Sequence, residues 1–399
     1  MSTVKIIVAP DSFKEALDAA GVAAAMAAGV RDALPTARIL EFPVADGGEG
    51  TAVAMTRALG GELRRVTVTG PLGAPVTARY GLVPAGAGRP VTAVVELAEA
   101  AGIHLVDPAD RDIRAAGTVG VGELMAQALD DGAEHIIVGL GGSVTTDGGL
   151  GMLAALGLVA VDAAGSPVSR DAAGLIRAAG LQDRGMDPRW REVQVTVAGD
   201  VDNPLCGPQG AAAVFGPQKG ASPTDVRELD AALSRWAGIL ATTTGQDAAT
   251  VRDTPGAGAA GGVGAALATV FGASMRSGAE LLLDLVDFTA ACRDADLVLT
   301  GEGRIDAQTG HGKAPARVAA AAHAATTGIT GTTGAAGGVP VIAVAGAATA
   351  DAATLVPDVF ADIVTVGDPT RPLAENLART ATDLRITVAR RMSVFSHCQ

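Results

Sequence analysis

The sequence predicts an α/β fold with two α/β domains, a doubly wound Rossmann-like parallel sheet and a second, mixed-sheet domain inserted into it. Three observations carry that expectation. Short aliphatic runs alternate with Ala-rich stretches of helical length along most of the chain, the pattern of βα units. Residues 64–97 break it with β-rich runs divided by Gly70-Pro71, Gly73 and 86–90, as hairpins do. The first and last thirds read alike, so one domain is expected from 1–63 plus 285–399, around an inserted domain at 64–284.

In order, 5–9 reads as a buried strand and 13–34 as a helix, then 39–45 as a strand and 51–59 as a helix. Later strands are expected at 135–140, 193–198, 295–300, 339–345 and 363–366, with helices at 148–156, 262–271 and 314–325. Residues 326–338, nearly all Thr, Gly and Ala, read as a loop, and 393–399 as a frayed tail.

Composition narrows the function. At 399 residues the chain can bury a large core without disulfides. Hydrophobic residues make up 48%, but the longest apolar run, 149–161, falls short of the roughly 20 residues a spanning helix needs. No secretory h-region follows Lys5, so a cytoplasmic chain is expected. A net charge of −13 and an aromatic content of 3% argue against nucleic-acid and membrane partners. Cys206, Cys292 and Cys398 lie far apart, giving neither a disulfide framework nor a zinc site. The five histidines form no HxxxH pair.

Lysine is scarce: Lys5, Lys14, Lys219 and Lys313 are the only four among 30 basic residues. Three stand beside turn-rich sequence, where a compact ammonium is a common phosphate partner. Five polar loops follow predicted strands: Ala9-Pro-Asp-Ser-Phe-Lys14, Ala45-Asp-Gly-Gly-Glu-Gly-Thr51, Gly139-Leu-Gly-Gly-Ser-Val-Thr-Thr-Asp-Gly-Gly149, Gly199-Asp-Val-Asp-Asn-Pro204 and Gly301-Glu-Gly-Arg-Ile-Asp306. Open α/β sheets bind ligands at the carboxyl ends of strands. There, glycines and helix N-termini receive phosphate, and carboxylates can hold Mg²⁺. Gly and Asp are also ordinary turn residues, but five such loops with nested acids point to a ligand.

Ser12-Phe-Lys-Glu15 fits a capping box, which would place Lys14 in a first helical turn, opposed to the dipole unless an anion binds. Asn203 serves either a ligand or a turn. Among the histidines, only His311, in a glycine-flanked loop with Lys313, reads as functional. No Walker A or protein-kinase signature occurs. Gly256-Ala-Gly-Ala-Ala-Gly261 matches the dinucleotide fingerprint but lacks a preceding strand. A nicotinamide-linked hydroxyacid dehydrogenase is therefore the weaker rival, and a non-catalytic metabolite-binding protein the other.

These loops, with Phe215-Gly-Pro-Gln-Lys-Gly220, Pro255-Gly-Ala-Gly-Ala-Ala-Gly-Gly262 and His311-Gly-Lys-Ala-Pro315 in order, resemble the bacterial type I glycerate kinase family. The chain departs from that family's usual pattern at Glu15-Ala16, at Thr146 and in the length of 326–338. The resemblance implies ATP- and Mg²⁺-dependent phosphorylation of D-glycerate, usually to 2-phosphoglycerate, with 3-phosphoglycerate the other product to consider. It implies glycerate and ATP as small-molecule partners and an active site in the cleft between the two domains, and leaves homo-oligomer formation open. The resulting candidates are Asp147, Asp306, Lys14 and Lys313 for catalysis, and Asp11, Ser12, Arg304, His311 and Asn203 for the substrate. Gly141, Gly142, Ser143, Lys219, Gly261, Gly262, Gly301 and Gly303 are candidates for the nucleotide, and Asp46, Glu49, Asp200 and Glu302 for the metal.

Overall fold

A computed structural model describes residues 3–44, 50–86, 88–326, 338–368 and 370–397. It divides into two compact units, Met1–Asp46 with Ala279–Gln399, and Gly47–Gly278. The first unit opens with β1 (Lys5–Pro10), α1 (Ala19–Ala33) and β2 (Arg38–Glu41). The second contains α2 (Thr51–Ala58), β3 (Glu62–Thr69), β4 (Pro75–Val83), β5 (Thr92–Glu96), α3 (Ala98–Ala101) and α4 (Val119–Asp130). It continues through β6 (His135–Gly139), α5 (Leu150–Ala155), β7 (Leu158–Val161), α6 (Ala172–Arg177), β8 (Gly180–Asp183) and β9 (Gln194–Ala198). It then runs through α7 (Ala211–Phe215), α8 (Pro223–Thr244), α9 (Ala248–Asp253), α10 (Ala259–Phe271) and β10 (Ser274–Arg276). The chain returns to the first unit with α11 (Gly278–Leu285), α12 (Phe288–Cys292), β11 (Leu297–Ile305), α13 (Ala314–Thr326), β12 (Val341–Ala348), β13 (Asp362–Thr365) and α14 (Leu373–His397).

The first unit is a five-stranded, all-parallel sheet in the order β13-β12-β11-β1-β2. Parallel strands covered on both faces read as continuous apolar runs, and every residue of β1 is buried. Alternate residues serve opposite faces. Ile6 and Val8 pack with α1 and with Leu384, Val388 and Met392 of α14. Ile7 and Ala9 pack with Ala314, Val318 and Phe288 on the other side. Each such Ile or Val contributes about 1.5–3 kcal/mol over an exposed one.

The second unit is a mixed six-stranded sheet in the order β10-β9-β6-β5-β4-β3, in which only β3, β4 and β5 pair antiparallel. The β-rich reading of 64–97 corresponds to those three strands. The long amphipathic α8 starts at a Ser222–Asp225 capping box with Pro223 behind it and ends at left-handed Gly245, as capping rules require. Its buried Trp236 reaches inward, and the indole N–H donates to the Gly148 carbonyl at 2.9 Å. Among the described residues no helix is long and apolar enough to cross a membrane.

Candidate active site

Numbered within the first unit alone, the strand order is 2-1-3-4-5, so the order of the parallel strands reverses between β1 and β11. Ligands of open α/β sheets bind outside the carboxyl ends of strands at such a reversal. Two segments meet there: the Asp11 N–H donates to the Gly301 carbonyl at 2.8 Å. Past Ser12 the chain makes a tight loop in which Phe13 and Leu17 exchange backbone hydrogen bonds of 2.9 Å. Phe13 is buried and anchors that loop, leaving Lys14 and Glu15 exposed at its tip.

This corrects the expected helix from residue 13. Glu15 has left-handed backbone (φ 67), the Ser12 N–H donates to Asp11 at 2.6 Å, and α1 is capped by Asp18, which accepts from Gly21 at 2.8 Å. Asp18 is as good a cap as Ser12, and it lets Phe13 enter the core instead of forming a helical turn.

The expected 301–306 loop is also corrected. Pairing with β1 ends at Pro10↔Gly301, but β12 carries the ladder on to Ile305↔Ala348. Backbone pairing overrides the glycine-rich composition, and β11 overhangs its neighbour. Gly301 is required there: a Cβ would lie 2.1 Å from the Val344 carbonyl oxygen. At Gly303 a Cβ would make only ordinary contact with Phe13, at 3.5 Å. The overhang carries half-buried Glu302 and exposed Arg304.

Asp306 ends the strand and caps a 3-10 turn at Ala307–His311. It accepts from the Thr309 N–H at 3.2 Å while its own N–H donates to Thr309 Oγ1 at 3.2 Å. The Thr309 hydroxyl donates to Glu302 Oε1 at 2.6 Å, and Lys313 Nζ donates to Asp306 Oδ1 at 3.2 Å. One buried threonine thus fixes two carboxylates that a lysine also serves. The Lys313 ammonium holds the Asp306 carboxyl below its usual range. Burial pushes Glu302 upward, opposed by Thr309 and Lys313 and reinforced by the negative charges of Asp11 and Asp306.

In the second unit, the glycine-rich segment follows β6. Gly142 is exposed with φ 70, and Ser143 is buried. Asp147 has no exposure. It accepts from Thr118 N–H at 2.9 Å, Thr118 Oγ1 at 2.7 Å, and the N–H groups of Gly149 and Gly151, both at 3.1 Å. Burial pushes its carboxyl up against those four bonds. Placed this way it organises a loop and is out of reach as a substrate's proton acceptor.

Lys219 is 2% exposed, not on an open loop. Its Nζ donates to Ser143 Oγ at 2.8 Å and to the Thr145 carbonyl at 2.6 Å. Burial lowers its pKa to about 7, with the Asp147 charge acting the other way.

Gly261 and Gly262 are buried too, so they form no open anion cradle. Gly261 has φ 69, and a Cβ would lie 2.2 Å from the Thr145 carbonyl oxygen; its own carbonyl accepts from Gly148 at 3.0 Å. A helix, α9, and no strand precedes this glycine run, as the sequence predicts. Asn203 takes its turn-forming alternative: its amide donates to the Gln209 carbonyl at 2.7 Å. Asp200 is exposed just past β9.

The N-terminus of α2, expected to be open to an anion, is filled from within. Glu96, at the end of β5, accepts from Ala52 at 2.6 Å and from Gly50 at 3.3 Å. Asp46, Glu49 and the His311 side chain lie outside the described residues. Sequence reasoning missed Glu96, Thr118 and Thr309. Glu96 had a usable signal, an acid closing an apolar strand run as in the five polar loops. The two threonines had none.

Among the described residues no three His, Cys, Asp or Glu side chains converge as a metal cage. The oxygen donors of Asp11, Glu302 and Asp306 suit Mg²⁺, which takes one or two carboxylates and completes its shell with phosphate and water.

Comparison with known proteins bears on this arrangement. A model of the glycerate kinase family matches residues 6–396. A glycerate kinase of Bacillus subtilis is 43% identical, covering 98% of this chain and 100% of that protein. A glycerate 2-kinase of Escherichia coli is 41% identical over 97% of this chain and 98% of its own. A crystal structure from Salmonella typhimurium LT2, provisionally assigned as glycerate kinase 2, superposes with a TM-score of 0.86 at 42% identity, covering 100% of both chains.

Proposed function

The chain belongs to the glycerate kinase family, and from that membership we propose that its phosphoryl transfer to D-glycerate is organised by the overhang of β11 and the loop after β1. The chain is a glycerate kinase using ATP as donor; the nicotinamide-dehydrogenase reading has no comparable support. The observation that carries the placement is the Glu302–Thr309–Asp306–Lys313 set standing where the parallel sheet reverses.

The glycerate hydroxyl oxygen forms a bond to the γ-phosphorus as the bond to the β–γ bridging oxygen breaks and ADP leaves. Asp306, kept ionised by Lys313, accepts the hydroxyl proton. Such transfer needs chiefly positioning and charge neutralisation. Lys313 and the exposed Lys14 supply cations to the phosphate oxygens. Arg304 offers a planar fork to the glycerate carboxylate, and Asp11 and Ser12 flank the same strand end. Mg²⁺, when bound, shields charge on the transferring phosphoryl group, and Glu302 with Asp11 would hold it. In the second unit, Gly141 and Gly142 are the candidates for nucleotide phosphates. Transfer to the 2-hydroxyl is the preferred outcome, supported by the name of the Escherichia coli relative; cytoplasmic residence fits the same reading.

Phosphorus NMR of the purified protein with Mg·ATP and D-glycerate tests this. A new 2-phosphoglycerate resonance is expected, a 3-phosphoglycerate one would correct the position, and no phosphoglycerate would refute the activity.

A further inference from the structure

Lys219 lies in a 3-10 turn, Pro217–Lys219, which ends at left-handed Gly220. Its side chain leaves that turn and ends inside the unit, at 2% exposure. A buried ammonium without partners is costly, so its hydrogen bonds define what it does. Its two acceptors among the described residues, Ser143 Oγ at 2.8 Å and the Thr145 carbonyl at 2.6 Å, lie in the segment after β6, two residues apart. Further along the same segment Asp147 is fastened by four donors, and the Thr145 carbonyl closely approaches Gly261. The one part left accessible is Gly141-Gly142. Among the described residues the hydroxyls of Thr145 and Thr146 are buried without a partner, and besides the backbone bonds Val144 N–H to Ala101 and Ile103 N–H to Gly142, Lys219 is the side chain seen to tie down residues 143–145.

We propose that Lys219 is a positioning residue: its ammonium clamps Ser143 to Thr145 from inside and thereby fixes the adjoining turn of half-buried Gly141 and exposed Gly142 in one conformation. The lysine touches no phosphate. Its effect on catalysis rests on the reading of Gly141-Gly142 as a nucleotide contact; its effect on the loop does not.

The test compares wild type, Lys219→Met and Ser143→Ala as full chains, by hydrogen exchange of peptides spanning 139–146 and by steady-state kinetics. Losing a charge-assisted hydrogen bond should speed exchange in Lys219→Met about tenfold or more, with β9 unchanged, and raise the KM for ATP more than it lowers kcat. Ser143→Ala, which deletes one acceptor, should move both in the same direction by less. Unaltered exchange at 139–146 in Lys219→Met overturns the proposal. Faster exchange with an unaltered KM for ATP upholds the clamp and instead removes Gly141-Gly142 from the nucleotide site. If Lys219→Met does not fold, Ser143→Ala decides alone, unaltered exchange again overturning the clamp.

Discussion

Two regions of this molecule use the same ingredients, a lysine, aspartates and threonines at strand ends, for opposite purposes. In the first unit Asp306 and Lys313 stand at 26% and 35% side-chain exposure, beside a sheet whose strand order reverses. In the second, Asp147 and Lys219 are sealed in, beside a sheet whose order runs β3-β4-β5-β6-β9-β10 without reversal. A reversal splays the flanking connections and leaves space for a ligand. Without one, the same residue types turn inward and hold a loop. On the proposed roles, burial more than residue type separates a reacting group from a supporting one.

Asp147→Ala tests the sealed loop of the second unit directly. It strands the three N–H groups and the Thr118 hydroxyl, and since each buried donor left without an acceptor costs about 1–3 kcal/mol, a loss of about 3 kcal/mol or more is expected. Urea unfolding should register that loss; a loss below about 1 kcal/mol would mean the carboxylate is not organising the loop.

Lys313→Met should do the reverse. Turnover should fall about 100-fold or more, as when one transition-state donor is deleted, with the unfolding midpoint nearly unchanged because exposed ion pairs contribute about 0–1 kcal/mol. Near-normal turnover would remove Lys313 from the reaction.

Glu96→Ala should cost about 0.5–2 kcal/mol, the worth of a helix cap, and calorimetry would detect it. If stability holds, the α2 N-terminus is not being capped by this residue.

The smallest effect is a displaced pH limb. Burial raises the Glu302 pKa above its ordinary 4.5, so its ionised form appears only at higher pH than for a free glutamate. If Glu302 holds the metal, kcat/KM should rise with pH through a limb above 4.5, and that limb should vanish in Glu302→Gln. For stability the sign is the opposite: a raised folded pKa contributes stability below 4.5 that is lost as pH climbs through the folded value.

Much of this was legible in the sequence. Aliphatic runs placed most of the described strands within a few residues, because parallel strands buried on both faces leave an unbroken apolar record. The overhang at 302–305 left none, since its pairing is dictated by the backbone of β12 and not by its own Gly-Glu-Gly-Arg. Lys219 and Asp147 were found as notable residues and given the wrong exposure. Depth is a property of what packs around a segment, and Trp236 and Gly261, which close over it, come from about 90 and 115 residues further along. Asp18 displaced Ser12 as a cap because two good caps lay six residues apart, less than two turns, and only packing of Phe13 could choose.

The pairing of β1 with β11 has a consequence for biogenesis. Thr300 Oγ1 donates to the Ala9 carbonyl across 291 residues of sequence, and Ile6 pairs with Leu297. At roughly 5–20 residues per second, a ribosome needs about 15–60 s after making the first strand to deliver its central neighbour. During that interval Gly47–Gly278 is synthesised in full, while an apolar Ile-Ile-Val-Ala edge waits without its partner. Nascent chains of this enzyme should therefore become protease-resistant in the middle before they do at the start, and a chaperone that shields short β-edges should associate with the emerging N-terminus.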